Sequence, residues 1–258
     1  MPALILMYHD LAADGVDTPA GHRPYVLEPA TFRAQMQRVA AQGLPVPTVT
    51  EWCVHRPSGR AVLLTFDDGH VSNHDEALPI LVECGLRATF FVTAGSIGTG
   101  TTMDWPRIRA MHAAGMEIGS HTVTHRPPST LDDTALRWEL VESRRMLEDG
   151  LGAPVTSISS PTGFFNPRMP ALAREAGYQA VCFGTAGLAA DDADALLLKR
   201  IAVKRSTTTG QFGALLQFDR SAIRRLRARQ AARDFTRTVL GPAGYLRLRR
   251  VLLPGRAQ

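Results

Sequence analysis

What the sequence has little of excludes several classes of protein. Its 258 residues include only three cysteines, Cys53, Cys84 and Cys182, which lie far apart and form no Cys-x-x-Cys pair. Their number and spacing argue against a disulfide framework and against a cysteine-ligated metal site. A reducing compartment is the simplest expectation for such a chain.

The N-terminus lacks the features of a targeting segment. No basic stretch opens the chain, and the apolar run at residues 3–7 is five residues long. Such a run is too short for a signal peptide and for a membrane-spanning helix. We therefore expect a cytoplasmic protein, and we interpret the run as the first β-strand.

Motifs for binding nucleotide phosphates are absent as well. No strand-like segment is followed by Gly-x-Gly-x-x-Gly or by Gly-x-x-x-x-Gly-Lys. In those motifs, glycines let the backbone N–H groups approach a phosphate closely. Their absence argues against a common dinucleotide or nucleoside triphosphate site.

The chain instead alternates apolar runs with segments of helical periodicity, about seven times, which indicates an α/β fold with a parallel sheet or a barrel. The predicted strands are the N-terminal run, 61–66, 88–92, 116–119, 155–160, 178–183 and 200–203. The predicted helices are 29–43, 73–84, 104–112, 131–149 and 167–176. A weak loop is predicted after residues 48–50.

The most informative stretch is the apolar run 61–66, which leads directly into Asp67, Asp68 and Gly69. Neighbouring side chains of a strand point in opposite directions, so the two carboxylates are expected to do different work. One can bind a metal ion while the other stays free as a base. A simple turn is the alternative, since Asp-Asp-Gly is also common in loops.

Two histidines favour the functional interpretation. His121 and His125 follow the predicted strand 116–119 and are four residues apart. Two imidazoles and one carboxylate are typical of metal sites that keep positions open for water and substrate, and Asp68 is the expected third ligand. A lone pair of histidines is weak evidence, but together with Asp67 and Asp68 it indicates a hydrolytic metal site.

Two motifs carry a resemblance to a known family. Residues 65–69, Thr-Phe-Asp-Asp-Gly, and residues 120–125, Ser-His-Thr-Val-Thr-His, resemble the polysaccharide deacetylase family (carbohydrate esterase family 4, the NodB homology domain). The resemblance extends from about residue 3 to about residue 205. It includes 88–92 and 115–119 as the framework between the motifs.

The resemblance implies a fold, a reaction and a set of roles. The fold is an irregular (β/α)7 barrel, here over residues 1–210, and the reaction removes an N-linked acetyl group from an amino sugar. Asp67 matches the catalytic base of the family. Asp68, His121 and His125 match the ligands of one divalent metal ion, for which we expect Zn²⁺.

The third motif of the family departs from its usual form. Residues 159–163, Ser-Ser-Pro-Thr-Gly, stand in its place, and Thr162 and Gly163 are expected to line the substrate and oxyanion site. The family motif commonly opens with an arginine that supports the catalytic aspartate, whereas this chain has Ser159. Arg200 is our candidate to replace that arginine.

The general acid of the family is also missing from its usual place. The late Leu-x-x-His motif is absent, because no histidine follows His125. His9, at the end of the first strand, is the expected substitute, and a buried histidine bonded to nearby backbone is the alternative. Trp105 is a candidate surface for a sugar ring, with a packing role at a helix start as the alternative.

The end of the chain has a different composition. Residues 220–258 carry eleven arginines and one acid, Asp234, a net charge of +10 in a chain whose total is +5. We expect 211–258 to form a basic helical appendage. Arginines alternating with apolar residues over 221–253 predict contact with an anionic membrane, at its inner face. Packing on the barrel is the alternative, and nucleic acid is disfavoured because no aromatic stacking motif accompanies the charge.

These observations predict a metal-dependent hydrolase with an N-acetylated saccharide as substrate. It removes the acetyl group from amino sugars of a polysaccharide, an oligosaccharide or a lipid-linked glycan precursor. Two alternatives stay open: the same fold hydrolysing a non-sugar amide, and an inactive relative that binds glycans or membranes.

Overall fold

Eight parallel strands form one sheet that curls into a nearly closed barrel. The computed structural model describes residues 2–12, 22–163, 165–232 and 234. The strands are β1 (Ala3–Tyr8), β2 (Ala61–Phe66), β3 (Thr89–Val92), β4 (Glu117–Ser120), β5 (Ser157–Ser159), β6 (Ala180–Phe183), β7 (Leu198–Lys199) and β8 (Ile201–Ala202). Their order in the sheet is β7-β6-β5-β4-β3-β2-β1-β8.

The last two strands join the two edges of the sheet. β7 pairs with β6, and β8 pairs with β1. Only Arg200 separates β7 from β8, so one short segment, 198–202, bridges both edges. This segment takes the seventh place in the barrel, and the predicted (β/α)7 barrel is confirmed.

Helices pack around the sheet. They are α1 (Pro29–Ala40), α2 (Val49–His55), α3 (Leu78–Glu83), α4 (Trp105–Ala113), α5 (Asp133–Leu151), α6 (Met169–Glu175) and α7 (Thr209–Leu216). Of these, α2 packs on the amino end of the barrel, where the Val49 N–H donates to Thr89 Oγ1 at 3.0 Å. A π-helical turn, Asn73–Ala77, precedes α3, and residues 220–232 are helical. No helix among these described residues is long and apolar enough to cross a membrane.

The helix α2 differs from the loop that the sequence predicts after residue 50. Thr48 caps this helix by accepting a hydrogen bond from the backbone N–H of Glu51, and the Glu51 side chain accepts one from the backbone N–H of Thr48. This reciprocal capping box starts a helix of only seven residues. Trp52 and Val49 bury its inner face.

The side chains of each strand alternate between two separate cores. In β2, Val62, Leu64 and Phe66 pack outward under the helices, while Ala61 and Leu63 join a second cluster inside the barrel. By this alternation the odd-numbered residues of β2 face the interior. The next odd-numbered residue after the strand is Asp67, which is therefore directed into the mouth of the barrel.

The same alternation places other predicted residues at that mouth. Ala3 and Ile5 of β1 face the interior, and so does Leu198 of β7. Following the two-residue period, His9 and Arg200 face the interior as well. The carboxyl ends of parallel strands are where such barrels place their chemistry.

The boundary predicted at residue 210 needs correction, because it falls inside α7. Phe212, Leu215 and Leu216 of this helix are buried in the core that surrounds the barrel. The helix therefore belongs to the barrel domain. The later part of the predicted basic appendage, from 235 to 258, lies outside the described residues.

Candidate active site

Three side chains at the ends of β2 and β4 form a compact cluster. Asp68 Oδ1 lies 3.3 Å from Nε2 of His121 and 3.2 Å from Nε2 of His125. One ligand atom from each residue lies within 4.8 Å of the others. The structure thus brings together the three side chains predicted to bind a metal.

The orientation of His121 suits a metal ligand. Its Nδ1 lies 3.0 Å from the backbone oxygen of Ser159. Because a carbonyl oxygen only accepts, Nδ1 carries a proton, and Nε2, the ring nitrogen directed toward Asp68, is the atom placed to bind a metal ion. A lone pair and a carboxylate oxygen repel each other unless a proton or a cation lies between them. The donor set and its orientation therefore fit a divalent metal ion such as Zn²⁺.

The electrostatics of the cluster favour an ionised carboxylate. Burial acts to raise the pKa of Asp68, but the contacts with His121 and His125 outweigh it and hold that pKa well below its usual range. The contact with Asp68 raises the pKa of His125. Asp68 is consequently a carboxylate at neutral pH and can serve as an anionic ligand.

The backbone that carries these ligands is strained. Asp68, Thr122 and His125 have positive φ angles of 74°, 66° and 57°, values that are uncommon outside glycine. Gly69 follows with φ 79°, and a Cβ there would lie 3.0 Å from Cγ1 of Val92. Such conformations persist where the surrounding structure imposes them, often at functional sites.

Glu139 of α5 imposes the conformation of the histidine loop, and sequence reasoning missed it. Its Oε2 accepts hydrogen bonds from the backbone N–H of Val123 at 2.8 Å and of Thr124 at 3.0 Å, and its Oε1 accepts one from the Thr124 hydroxyl. Glu139 is 2% exposed. A signal existed, because Glu139 lies on the buried stripe of α5 with Leu136 and Ser143, and a buried charge needs partners.

Beside the cluster, Asp67 forms a two-pronged ion pair with Arg200. The two terminal nitrogens of Arg200 each donate to one oxygen of Asp67, both at 2.7 Å. Arg200 also donates to Ser159 Oγ at 2.7 Å and to Thr65 Oγ1 at 3.2 Å. This guanidinium is fully buried, so it fixes the carboxylate in one orientation.

Arg200 also sets the ionisation of Asp67. Burial acts to raise the pKa of Asp67, but Arg200, with His121 and His9, lowers it below the ordinary value. Asp67 is therefore ionised at neutral pH. A carboxylate held in this way next to Asp68, His121 and His125 can accept a proton from a bound water.

Comparison with known proteins decides the family. The family model for polysaccharide deacetylases matches residues 55–181. YxkH of Bacillus subtilis (strain 168), a protein assigned provisionally as a polysaccharide deacetylase, is 28% identical over 219 residues, which are 83% of this chain and 75% of that one. The chain belongs to the polysaccharide deacetylase family.

A curated relative and a solved structure match different shares of this chain. A chitin deacetylase of Pestalotiopsis sp. is 31% identical over 137 residues, 52% of this chain and 43% of that enzyme. The solved structure of the Streptococcus pyogenes deacetylase PplD matches with a TM-score of 0.73 at 24% identity, over 84% of this chain and 97% of that one. The structural likeness extends the shared fold over most of the barrel.

In this polysaccharide deacetylase, His9 lies near enough to Asp67 and Asp68 for their charges to act on its ring. Its ring packs on Tyr25 with centroids 4.7 Å apart, and its backbone oxygen accepts a hydrogen bond from Asn73. Burial lowers the pKa of His9, against the opposing influence of Asp67 and Asp68. Its Nδ1 is buried without a hydrogen-bond partner among the described residues. That orphaned nitrogen argues against a purely structural histidine.

The loop after β5 holds the predicted oxyanion residues. Thr162 and Gly163 have positive φ angles of 63° and 71°. Gly163 packs so closely on Gly184 that a Cβ would lie 3.0 Å from its Cα. The N–H of Gly163 donates to the backbone oxygen of Ser160 at 3.0 Å, which leaves Thr162 as our candidate backbone donor.

Trp105 does not belong with these residues, which corrects the expectation that it lines a sugar subsite. It begins α4 and packs against α5, where a Cβ at Gly150 would lie 2.1 Å from its ring. The guanidinium of Arg109 lies 5.7 Å from the ring centroid. Trp105 therefore fills the interface between α4 and α5, which agrees with the alternative of a packing role at a helix start.

Proposed function

We propose that the chain is a metal-dependent hydrolase that removes the acetyl group from N-acetylated amino sugars. The observation that carries the proposal is the cluster of Asp68, His121 and His125 beside the Asp67–Arg200 pair. Membership in the polysaccharide deacetylase family supports the class of reaction. Chitin and peptidoglycan N-acetylglucosamine deacetylases are among its relatives.

In the proposed reaction, the side chains divide the work. A Zn²⁺ ion bound by Asp68, His121 and His125 would acidify water and polarise the acetyl carbonyl. Asp67 accepts the proton of the attacking water, and Arg200 holds its carboxylate in place. The backbone N–H of Thr162 is our candidate to stabilise the oxygen that becomes negatively charged.

We further propose that His9 delivers a proton to the leaving amine. The support for this role is its position beside Asp67 and a buried Nδ1 that has no hydrogen-bond partner among the described residues. His9→Gln should lower kcat about 100-fold, within the usual range for a general acid, and leave the bound metal unchanged. Unaltered kcat in this variant would remove His9 from the reaction.

The function is tested by metal analysis combined with acetate release. The purified chain should release acetate from N-acetylglucosamine oligosaccharides, lose this activity on chelation and regain it with added Zn²⁺. Asp68→Asn should lose the metal and the activity together. Asp75→Asn is the matched control, because Asp75 is an exposed aspartate in an ion pair with Arg107.

One outcome would reject the proposal. A chain with full metal occupancy that releases no acetate from any N-acetylated sugar is not a carbohydrate deacetylase. Hydrolysis of a non-sugar amide by the same preparation would then identify the reaction.

A further inference from the structure

The helix at residues 220–232 presents two different faces. Its inner face is apolar, with Ile223 buried and Leu226 packed against the main core. Asp219 precedes the helix and caps it by accepting a hydrogen bond from the backbone N–H of Ser221 at 2.7 Å. The helix is therefore fixed to the barrel and does not project freely.

The far end of this helix is anchored beside the mouth of the barrel. The Gln230 side chain donates to the backbone oxygen of Gly184 at 2.9 Å and accepts from the backbone N–H of Ala186 at 2.7 Å. The N–H of Gly184 in turn donates to Gly163 at 2.7 Å. The basic helix is thus connected through Gly184 to the loop that contains Thr162 and Gly163.

The outer face of the helix is a dense array of positive charge. Its five arginines are exposed: Arg220, Arg224, Arg225, Arg227 and Arg229. No acidic residue occurs between residues 220 and 233. Within the described part of the chain, no ion pair is found for any of the five.

Several arginines elsewhere on the surface have acidic partners. Arg33 pairs with Glu83, and Arg137 pairs with Glu175. Arg87 likewise pairs with Glu51. The five helix arginines form no such ion pair among the described residues, although Asp219 at the helix start acts on Arg225. Neighbouring positive charges repel one another, and an anionic partner relieves that repulsion.

We propose that the helix 220–232 binds an anionic phospholipid surface and turns the mouth of the barrel toward it. The sequence that follows favours lipid over nucleic acid, since residues 235–253 carry further arginines interleaved with apolar residues and no acid. Basic segments of that composition bind anionic bilayers through charge and apolar contact together. The anchor at Gly184 sets the orientation of the catalytic mouth relative to the bilayer.

The binding step is tested with the full chain and vesicles, and it requires no turnover. The chain should sediment with vesicles of phosphatidylcholine containing about 30% phosphatidylglycerol and not with phosphatidylcholine alone, and rising salt should weaken the binding. Changing the five helix arginines to Gln should weaken binding at least about ten-fold.

A matched control separates this surface from net charge. The control variant changes five arginines that already have acidic partners to Gln: Arg33, Arg87, Arg137, Arg145 and Arg168. This control has the same net charge as the variant with the five helix arginines changed. It should nevertheless bind the anionic vesicles as tightly as the unmodified chain does. Equal binding by both variants would overturn the proposal, and so would tighter binding to duplex DNA or RNA than to the vesicles.

The orientation is tested separately by energy transfer to a lipid acceptor dye. In a chain with Cys53 and Cys84 changed to Ser, one donor dye is attached at Phe165→Cys, on the exposed rim after β5, and another at Ser58→Cys, in the loop before the amino end of β2. Stronger transfer from position 165 is the expected result. Equal or weaker transfer from that position would show that the mouth faces away from the bilayer.

Discussion

The barrel holds a carboxylate at each end, and the two are supported in different ways. Glu117, at the amino end of β4, accepts hydrogen bonds from the backbone N–H and the hydroxyl of Thr50. It also accepts from the hydroxyls of Thr89 at 2.9 Å and Ser157 at 2.5 Å. All these donors are neutral, and the hydroxyls can rotate to suit the acceptor. This end of the sheet closes the barrel and holds it together.

At the opposite end, Asp67 depends on a single buried cation. Arg200 supplies both of its strong hydrogen bonds, and the Nε of Arg200 is itself buried without a partner among the described residues. Strained backbone surrounds the pair, at Asp68 and at Thr162. The contrast shows that the mouth is arranged for charge and geometry at a cost in local stability, as is common for the carboxyl end of such barrels.

The largest effect is expected from Asp67→Asn. The amide keeps the shape but cannot accept a proton, so kcat for acetate release should fall about 10²- to 10⁴-fold. Bound metal should stay unchanged, because Asp67 is not among the clustered ligand atoms. Glu117→Gln, the equivalent change at the other end, should keep its rate. Comparable losses in both variants would remove the distinction between the two ends.

Arg200→Met should destabilise the fold by about 3–5 kcal/mol at pH 7, because it leaves a buried carboxylate without its counter-ion. Urea unfolding measures the change. Moving the arginine to the place where the family commonly has it, in the double variant Ser159→Arg with Arg200→Ser, should recover part of the loss. The two positions share a contact, since Ser159 Oγ lies 2.7 Å from Arg200.

The difference in unfolding free energy between the wild type and Arg200→Met should decrease as the pH falls. The pKa of Asp67 is lowered in the folded state, so its ion pair stabilises the fold above the unfolded pKa, near about 3.9. That contribution is lost as the pH falls through the folded-state pKa. Without Arg200, burial raises the pKa of Asp67, so the gap between the wild type and Arg200→Met should be largest at pH 7 and shrink steadily as the pH falls toward 3. A gap that is constant from pH 7 to pH 3 would show that the pair contributes through packing alone.

Glu139→Met is expected to have an intermediate effect. It should lower the affinity for the metal and leave the base Asp67 in place. It leaves the N–H groups of Val123 and Thr124 unpaired and frees the histidine loop, so metal affinity should fall about 10- to 100-fold. Glu139→Gln should retain most of the affinity, because an amide oxygen can still accept both N–H groups. Glu142→Met, a more exposed position on the same helix, is the control. Competition with a zinc-sensitive dye measures all three.

Local patterns were sufficient for the longer strands and for the grouping of Asp68, His121 and His125. A run such as 61–66 identifies its strand, and the two-residue alternation then fixes where Asp67 points. What sequence could not supply depends on distant parts of the chain. The left-handed backbone at Asp68 and His125 is imposed by loops that meet only in the fold. Glu139 acts across 15 and 16 residues, although its place on a buried helix stripe was visible.

The smallest effect on chemistry is expected from Glu117→Met. The variant removes the acceptor for the fixed N–H of Thr50, which then lacks a partner, and the free energy of unfolding should fall by about 1–3 kcal/mol. The hydroxyls of Thr89 and Ser157 can turn to other acceptors and add little to the loss. Because Glu117 lies at the amino end of its strand, remote from Asp67, kcat should stay within about twofold of the wild type. A large drop in kcat with an intact fold would mean that the two ends of the barrel are coupled. The catalytic mouth would then depend on the amino end of the barrel as well as on its own residues.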